Sequence, residues 1–188
     1  MPKIGGQMTD DELQHATLEL KILISVAWKA SIIAAEQWLA REGYDLTSLQ
    51  SAVLRVVSHE GSSTISELSK RFAIDPSTLV PTVDAVERKG FLIRQRDPQD
   101  RRRVLLLPTD EGKKLAMRLP HVVDNDPLLI GLQTLGEGDA KQLIQLLFQL
   151  VSAMPEGDDW LKHAHSRLLA SGLKEENLLC KQFIQHRP

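Results

Sequence analysis

The chain has 188 residues and a mass of 21.0 kDa, which allows one domain with an appendage and excludes two full enzymatic domains. Hydrophobic residues make up 42% and charged residues 26%, enough to bury a core and unlike a disordered chain. Aromatic residues are only 4%, with a single Tyr, so the core must be aliphatic and the base-stacking platforms of RNA-binding modules are excluded. One Cys, Cys180, excludes an internal disulfide and a Cys-rich zinc module. No apolar run approaches the roughly 20 residues of a membrane span, and an N-terminus with Asp10, Asp11 and Glu12 is unlike a signal peptide. The expectation is a cytoplasmic protein without a membrane partner.

Charge is unevenly spread. Between Lys70 and Arg103 nine basic residues face five acids, a local +4, while the rest of the chain carries −6. A basic block in an acidic protein concentrates a polyanion at one place and repels it elsewhere; a solvated loop with clustered charges has the same composition.

A long helix is predicted from Thr9 to Arg41. Leu13, Leu20, Ala27 and Ala34 repeat every seven residues and Leu18, Ile22 and Val26 every four, so two faces are apolar and two partners are required. One partner is the chain's own domain and the other a second subunit. After Gly43 and Tyr44, Thr47-Ser-Leu-Gln50 starts a capped helix that Gly61 closes, and Thr64-Ile-Ser-Glu67 starts a short one with Ile65, Leu68 and Phe72 inward. Ile74 to Thr78 is turn and cap chemistry, and Thr78 is one candidate for the N-cap. Leu79, Val83 and Val86 then mark a helix stopped by Gly90. Phe91–Arg96 and Arg103–Leu107 read as a hairpin around the polar loop 97–102, and Thr109 starts a further helix. Pro120 to Pro127 interrupts it, a helical pattern with two apolar faces resumes from Glu137 to Met154, and one or two short helices around Gly172 fill 160–184.

Two short helices joined by a tight turn, then a hairpin with a basic tip, is the order of a winged helix-turn-helix. In that arrangement one helix lies in a major groove and the hairpin reaches the neighbouring minor groove. Ser77, Thr78, Val80, Pro81 and Thr82 lie on the outward, early part of the second helix, where small side chains permit close approach to base edges or phosphates. An ordinary capped helix start has the same residues. Arg94 and Arg96 alternate onto one strand face as phosphate contacts, and Arg101, Arg102 and Arg103 form the tip.

The segments Leu46–Gln50, Thr64–Ser69, Leu79–Arg94, Asp97–Arg102 and Leu107–Gly112 together resemble the multiple antibiotic resistance regulator (MarR) family, most specifically from Leu46 to Leu115. The resemblance implies a mainly α fold with a small β-hairpin wing, flanked by long N- and C-terminal dimerisation helices. The corresponding segments are 9–45 (dimerisation helix), 46–119 (winged helix-turn-helix), 120–155 (second dimerisation region) and 156–188 (helical extension). It also implies a bacterial or archaeal homodimeric transcriptional regulator, usually a repressor, that leaves a palindromic double-stranded operator when a small ligand or an oxidant acts. The family's wing Asp and Arg are matched by Asp100 and Arg102, the Arg entering the minor groove and the Asp orienting it.

The sequence departs from the family in three places. Pro81 stands within the recognition helix, harmless if Thr78 is the N-cap. No Cys lies in the first long helix, where peroxide-sensing relatives carry theirs, so Cys180 reads as structural or incidental. The break at 120–127 and the extension past Pro155 are atypical. Trp28, Ile32, Trp38, Leu54 and Met117 are apolar candidates to line a pocket for a small aromatic ligand; core packing explains them equally well. His163-Ala-His165 points its two rings apart, so no metal site is expected, no cofactor motif is present, and no nucleophile elbow or phosphate loop supports an enzyme. The competing reading is a winged helix that docks protein instead of DNA, against which the three consecutive arginines argue.

Overall fold

A computed structural model of the chain describes residues 8–170 together with 173, 174, 176 and 178; Cys180 and Gly172 lie outside the described residues. Seven helices and one hairpin are present among them. Helix α1 (Asp10–Arg41) starts with a complete capping box. The Thr9 hydroxyl accepts from the Glu12 amide at 3.3 Å and the Glu12 carboxylate from the Thr9 amide at 2.8 Å, with three acids favourably placed in the first turn. Helices α2 (Ser48–Glu60) and α3 (Ile65–Phe72) repeat the device with Thr47/Gln50 and Thr64/Glu67. Helix α4 (Pro76–Arg88) leads into strands β1 (Leu92–Arg96) and β2 (Val104–Pro108), then come α5 (Asp110–Arg118), α6 (Pro127–Ser152) and α7 (Gly157–Ala170).

The strands pair antiparallel with Arg94 opposite Leu106 and Arg96 opposite Val104. Ser63 bridges to Leu106, its amide donating at 3.1 Å and its carbonyl accepting at 2.7 Å, so the hairpin is fastened to the start of α3. One aliphatic core holds these parts together: Val53, Leu54 and Val57 of α2, Leu68 of α3, Leu79, Val83 and Val86 of α4 and Leu106 of β2 are completely buried. Truncating one of its leucines to Ala would cost about 2–5 kcal/mol through lost transfer energy and a cavity.

The two long helices stand largely outside this core. α1 buries only Ala34 and Leu39, and α6 buries no residue. Leu18, Ile22, Leu23, Val26 and Trp28 of α1, with Leu143, Leu146 and Leu150 of α6, are exposed. The result is a winged helix-turn-helix flanked by long apolar helices. Among the described residues no helix is long and apolar enough to cross a membrane.

Three details differ from the sequence expectation. The N-cap of α4 is Asp75, not Thr78: its carboxylate accepts from the Ser77 amide at 2.7 Å and Pro76 occupies the first helical position, where a missing N–H is harmless. Pro81 is therefore the sixth helical residue, inside α4, and deprives the Ser77 carbonyl of its helical donor. Secondly, α6 begins at Pro127, ten residues before Glu137, capped by Asp126. Gly136 breaks it into two helical stretches with φ 79° and ψ 170°, a conformation that only glycine adopts cheaply. Thirdly, each strand begins one residue later than the pattern suggests, at Leu92 and Val104.

Candidate nucleic-acid interface

The first part of the candidate interface is the N-terminal half of α4. Leu79, Val83 and Val86 turn into the core, leaving Ser77, Thr78, Val80 and Pro81 exposed and Thr82 half-buried. The Thr82 hydroxyl donates to the Thr78 carbonyl at 3.0 Å. Hydrogen bonds from Ser77 hold the Asp75 carboxyl below the usual carboxylate range, so the cap stays ionised at the positive end of the helix.

The second part is the wing tip. Asp97 accepts from the Gln99 amide at 2.8 Å, Asp100 accepts from the Arg102 amide at 3.0 Å, and the Arg103 amide donates to the Asp100 carbonyl at 2.9 Å. These are side-chain-to-backbone turns that fix the loop locally. Asp100 thus holds the backbone of Arg102 rather than its guanidinium. Among the described residues the guanidinium groups of Arg96, Arg101 and Arg102 have no hydrogen bond or ion pair.

Arg94 and Arg103 are committed within the fold. Arg103 donates to Glu67 at 2.9 Å and lies 4.0 Å from Asp97. Arg94 donates to Asp84 at 2.6 Å and to Glu87, whose other oxygen accepts from the Arg94 amide at 3.1 Å. Strand alternation suggests a free guanidinium at Arg94, whereas here its donors have internal partners. Asp84 and Glu87, one turn apart on α4, take up its donors. Alternation reports the side of a strand and not what faces it.

A cavity of about 480 Å³ opens between α1, α2, the α3–α4 turn and the segment after α5. Trp28, Ile32 and Trp38 line it as expected. Leu54 does not: it is completely buried in the core, and Met117 is 79% exposed. Sequence reasoning missed the cavity's polar groups. Arg55 donates to the Pro120 carbonyl, and the Ser31 hydroxyl donates at 2.6 Å to buried Asp126, whose other oxygen caps α6 through the Leu128 amide at 2.8 Å. His121 lines the cavity's rim; partial burial, then Arg55 and His59, push its pKa below the ordinary imidazole value. The Asp126-Pro127 pair was the available signal, being the same cap as Asp75-Pro76.

His163 Nδ1 lies 2.6 Å from the Asp159 carbonyl on α7, and among the described residues no three His, Cys, Asp or Glu side chains gather as a metal site.

Residues 46–104, from the start of α2 to the return strand of the wing, match the profile of the MarR family. Across its winged helix-turn-helix the chain is similar to the MarR family. It is 35% identical over 68 residues to the uncharacterised HTH-type transcriptional regulator YcgE of Bacillus subtilis, an alignment covering 36% of this chain and 43% of that relative. It is 29% identical over 103 residues to the organic hydroperoxide resistance transcriptional regulator of the same organism, covering 55% of this chain and 67% of the relative. The reduced form of MarR from E. coli superposes with a TM-score of 0.56 at 26% identity, over 72% of this chain and 96% of that one. Both relatives are transcriptional regulators by name.

Proposed function

We propose that this protein is a MarR-family, sequence-specific, duplex-DNA-binding transcriptional regulator of the cytoplasm, a repressor that acts as a homodimer on an imperfect palindrome. The observation that carries this reading is the wing tip, where Arg96, Arg101 and Arg102 have no partner among the described residues while their neighbours Arg94 and Arg103 do. Unpaired guanidiniums on a rigid turn keep their donors for phosphates and for the narrow, negative minor groove. On α4, Ser77, Thr78, Val80, Pro81 and Thr82 supply the small surface that a major groove admits. Homodimerisation is supported by the exposed apolar faces of α1 and α6, too extensive for a soluble monomer. The cavity between the long helix and the winged domain suits a small aromatic ligand that releases DNA: Trp28 and Trp38 supply its aromatic wall.

Exposed Ile93 and Val104 on the wing give the competing protein-docking reading its apolar surface, and salt separates the two. The probe is a pool of duplexes of about 30 base pairs, roughly three helical turns, enriched from random sequence on the purified protein. Selected sites should contain two half-sites about 10 base pairs apart, and log K should fall with log salt by about 0.9 per phosphate neutralised. No enrichment, or binding indifferent to salt, would contradict DNA as the partner.

A further inference from the structure

The connection between α4 and β1 is only three residues long, Lys89 to Phe91, and turns through Gly90 at φ 79°. So short a turn fixes distance but leaves the hairpin a pivot about the helix end. Arg94 spans that pivot from the middle of β1, opposite the buried Leu106. Its guanidinium donates to Asp84 at 2.6 Å and to Glu87, while Glu87 also accepts from the Arg94 amide at 3.1 Å. One residue of the strand is thereby held at backbone and side chain by two acids a single helical turn apart, and a planar fork gripping two carboxylates restricts rotation as well as separation.

We propose that Arg94 is a positioning residue: with Asp84 and Glu87 it sets the angle between wing and recognition helix, and so determines whether α4 in its major groove and Arg102 in the flanking minor groove engage one duplex together. The proposal rests on the DNA reading above. The three side chains are between 27% and 48% exposed, where ion pairs add little stability, so their effect is on geometry. A wing set at the wrong angle still meets phosphates but loses the register with groove width that flanking sequence provides. The second fastening, Ser63 to Leu106, holds the middle of β2 and keeps the hairpin folded when the Arg94 clamp is removed.

The test compares the parent, Arg94→Ala and the near-isosteric double variant Asp84→Asn/Glu87→Gln. Each is titrated against a selected duplex carrying either A·T-rich or G·C-rich flanks, across a salt series. Both variants should melt near the parent and lose about tenfold, or 1.4 kcal/mol, of the parent's preference between flanks. Their salt slopes should stay within about 0.5 of the parent, because no phosphate contact is removed. If Arg94 were a phosphate contact, Arg94→Ala would lower the slope by about 1.8 per dimer and keep the flank preference, while the double variant would free the guanidinium and bind more tightly; that pattern, or no change in either variant, overturns the proposal. A parent that binds neither duplex would instead overturn the DNA reading itself.

Discussion

Arg103 on the wing and Glu67 in the first turn of α3 meet at 2.9 Å, and the same Glu67 carboxylate closes the capping box by accepting from the Thr64 amide at 2.7 Å. A helix start and the wing hairpin therefore share one acid. Burial alone would raise the Glu67 pKa; the Thr64 hydrogen bonds, Arg103 and Ser63 outweigh it and lower it. A carboxyl with a depressed folded pKa contributes stability that is present above its unfolded value and lost as pH falls through the folded one.

Glu67→Gln keeps the capping geometry, since Gln serves at that position, and removes the charge. We expect a loss of at most about 1 kcal/mol near neutral pH, shrinking toward zero as the solution is acidified below the ordinary Glu range. Thr64→Ala, which removes the cap, should cost about 1 kcal/mol. Denaturant melts at two pH values check both; a Glu67→Gln deficit that persisted in acid would show that charge is not the contribution.

His121 titrates with the opposite sign of charge. Its folded pKa is lowered by partial burial and by Arg55 and His59, so above the ordinary imidazole value both states are neutral and nothing is lost. As pH falls through that value the unfolded chain takes up the proton first, and stability declines until the folded pKa is reached. Arg55 and His59 face the ring from α2, and the acids lining the same cavity are Glu36 and Asp126. His121→Asn should narrow the difference in Tm between about pH 7.5 and about pH 5.5, which bracket the free imidazole. An unchanged difference would contradict this.

Gly112 is fixed by packing. A Cβ there would lie 2.1 Å from the Phe91 carbonyl oxygen, the same oxygen that accepts from the Thr109 amide at 3.0 Å. Gly112→Ala must therefore displace the start of α5 from the α4–β1 turn. We expect a loss of about 1–3 kcal/mol, the usual penalty of forced overpacking. Thermal unfolding checks it, and a variant as stable as the parent would be the contrary result.

The local parts of this fold were legible because the chain marks them with local chemistry. Thr9, Thr47, Thr64 and Thr109 each accept from an amide three residues on, and a cap needs nothing distant. Asp75-Pro76 was hidden by the three hydroxyl and acid caps crowded into 75–78. Asp126-Pro127 was hidden by the glycines at 131, 136 and 138, which weaken the helical pattern behind it. What the sequence could not display was pairing across space: Arg94 reads as one more strand arginine until Asp84 and Glu87 are seen beside it. Arg55 likewise reads as a solvated helix residue until the Pro120 carbonyl closes over it.

The exposed apolar faces of α1 and α6 lead us to expect a homodimer held by these helices. Light scattering at micromolar concentration should return about twice the chain mass. A folded, monodisperse monomer would contradict it, and replacing Leu23 and Val26 by Glu should yield that monomer if the face is correctly assigned.

The most direct test of the wing as a minor-groove reader is the affinity of Arg102→Ala, measured by fluorescence anisotropy on a selected duplex and a scrambled one across a salt series. The Arg102 guanidinium has no partner to lose among the described residues, so its removal should leave the fold alone. We expect a loss of about 1–3 kcal/mol on the selected duplex, the scale of one mismatched base pair, deepest where the flanks are A·T-rich and the groove is narrow and most negative. Binding as tight as the parent's at every salt concentration would contradict it.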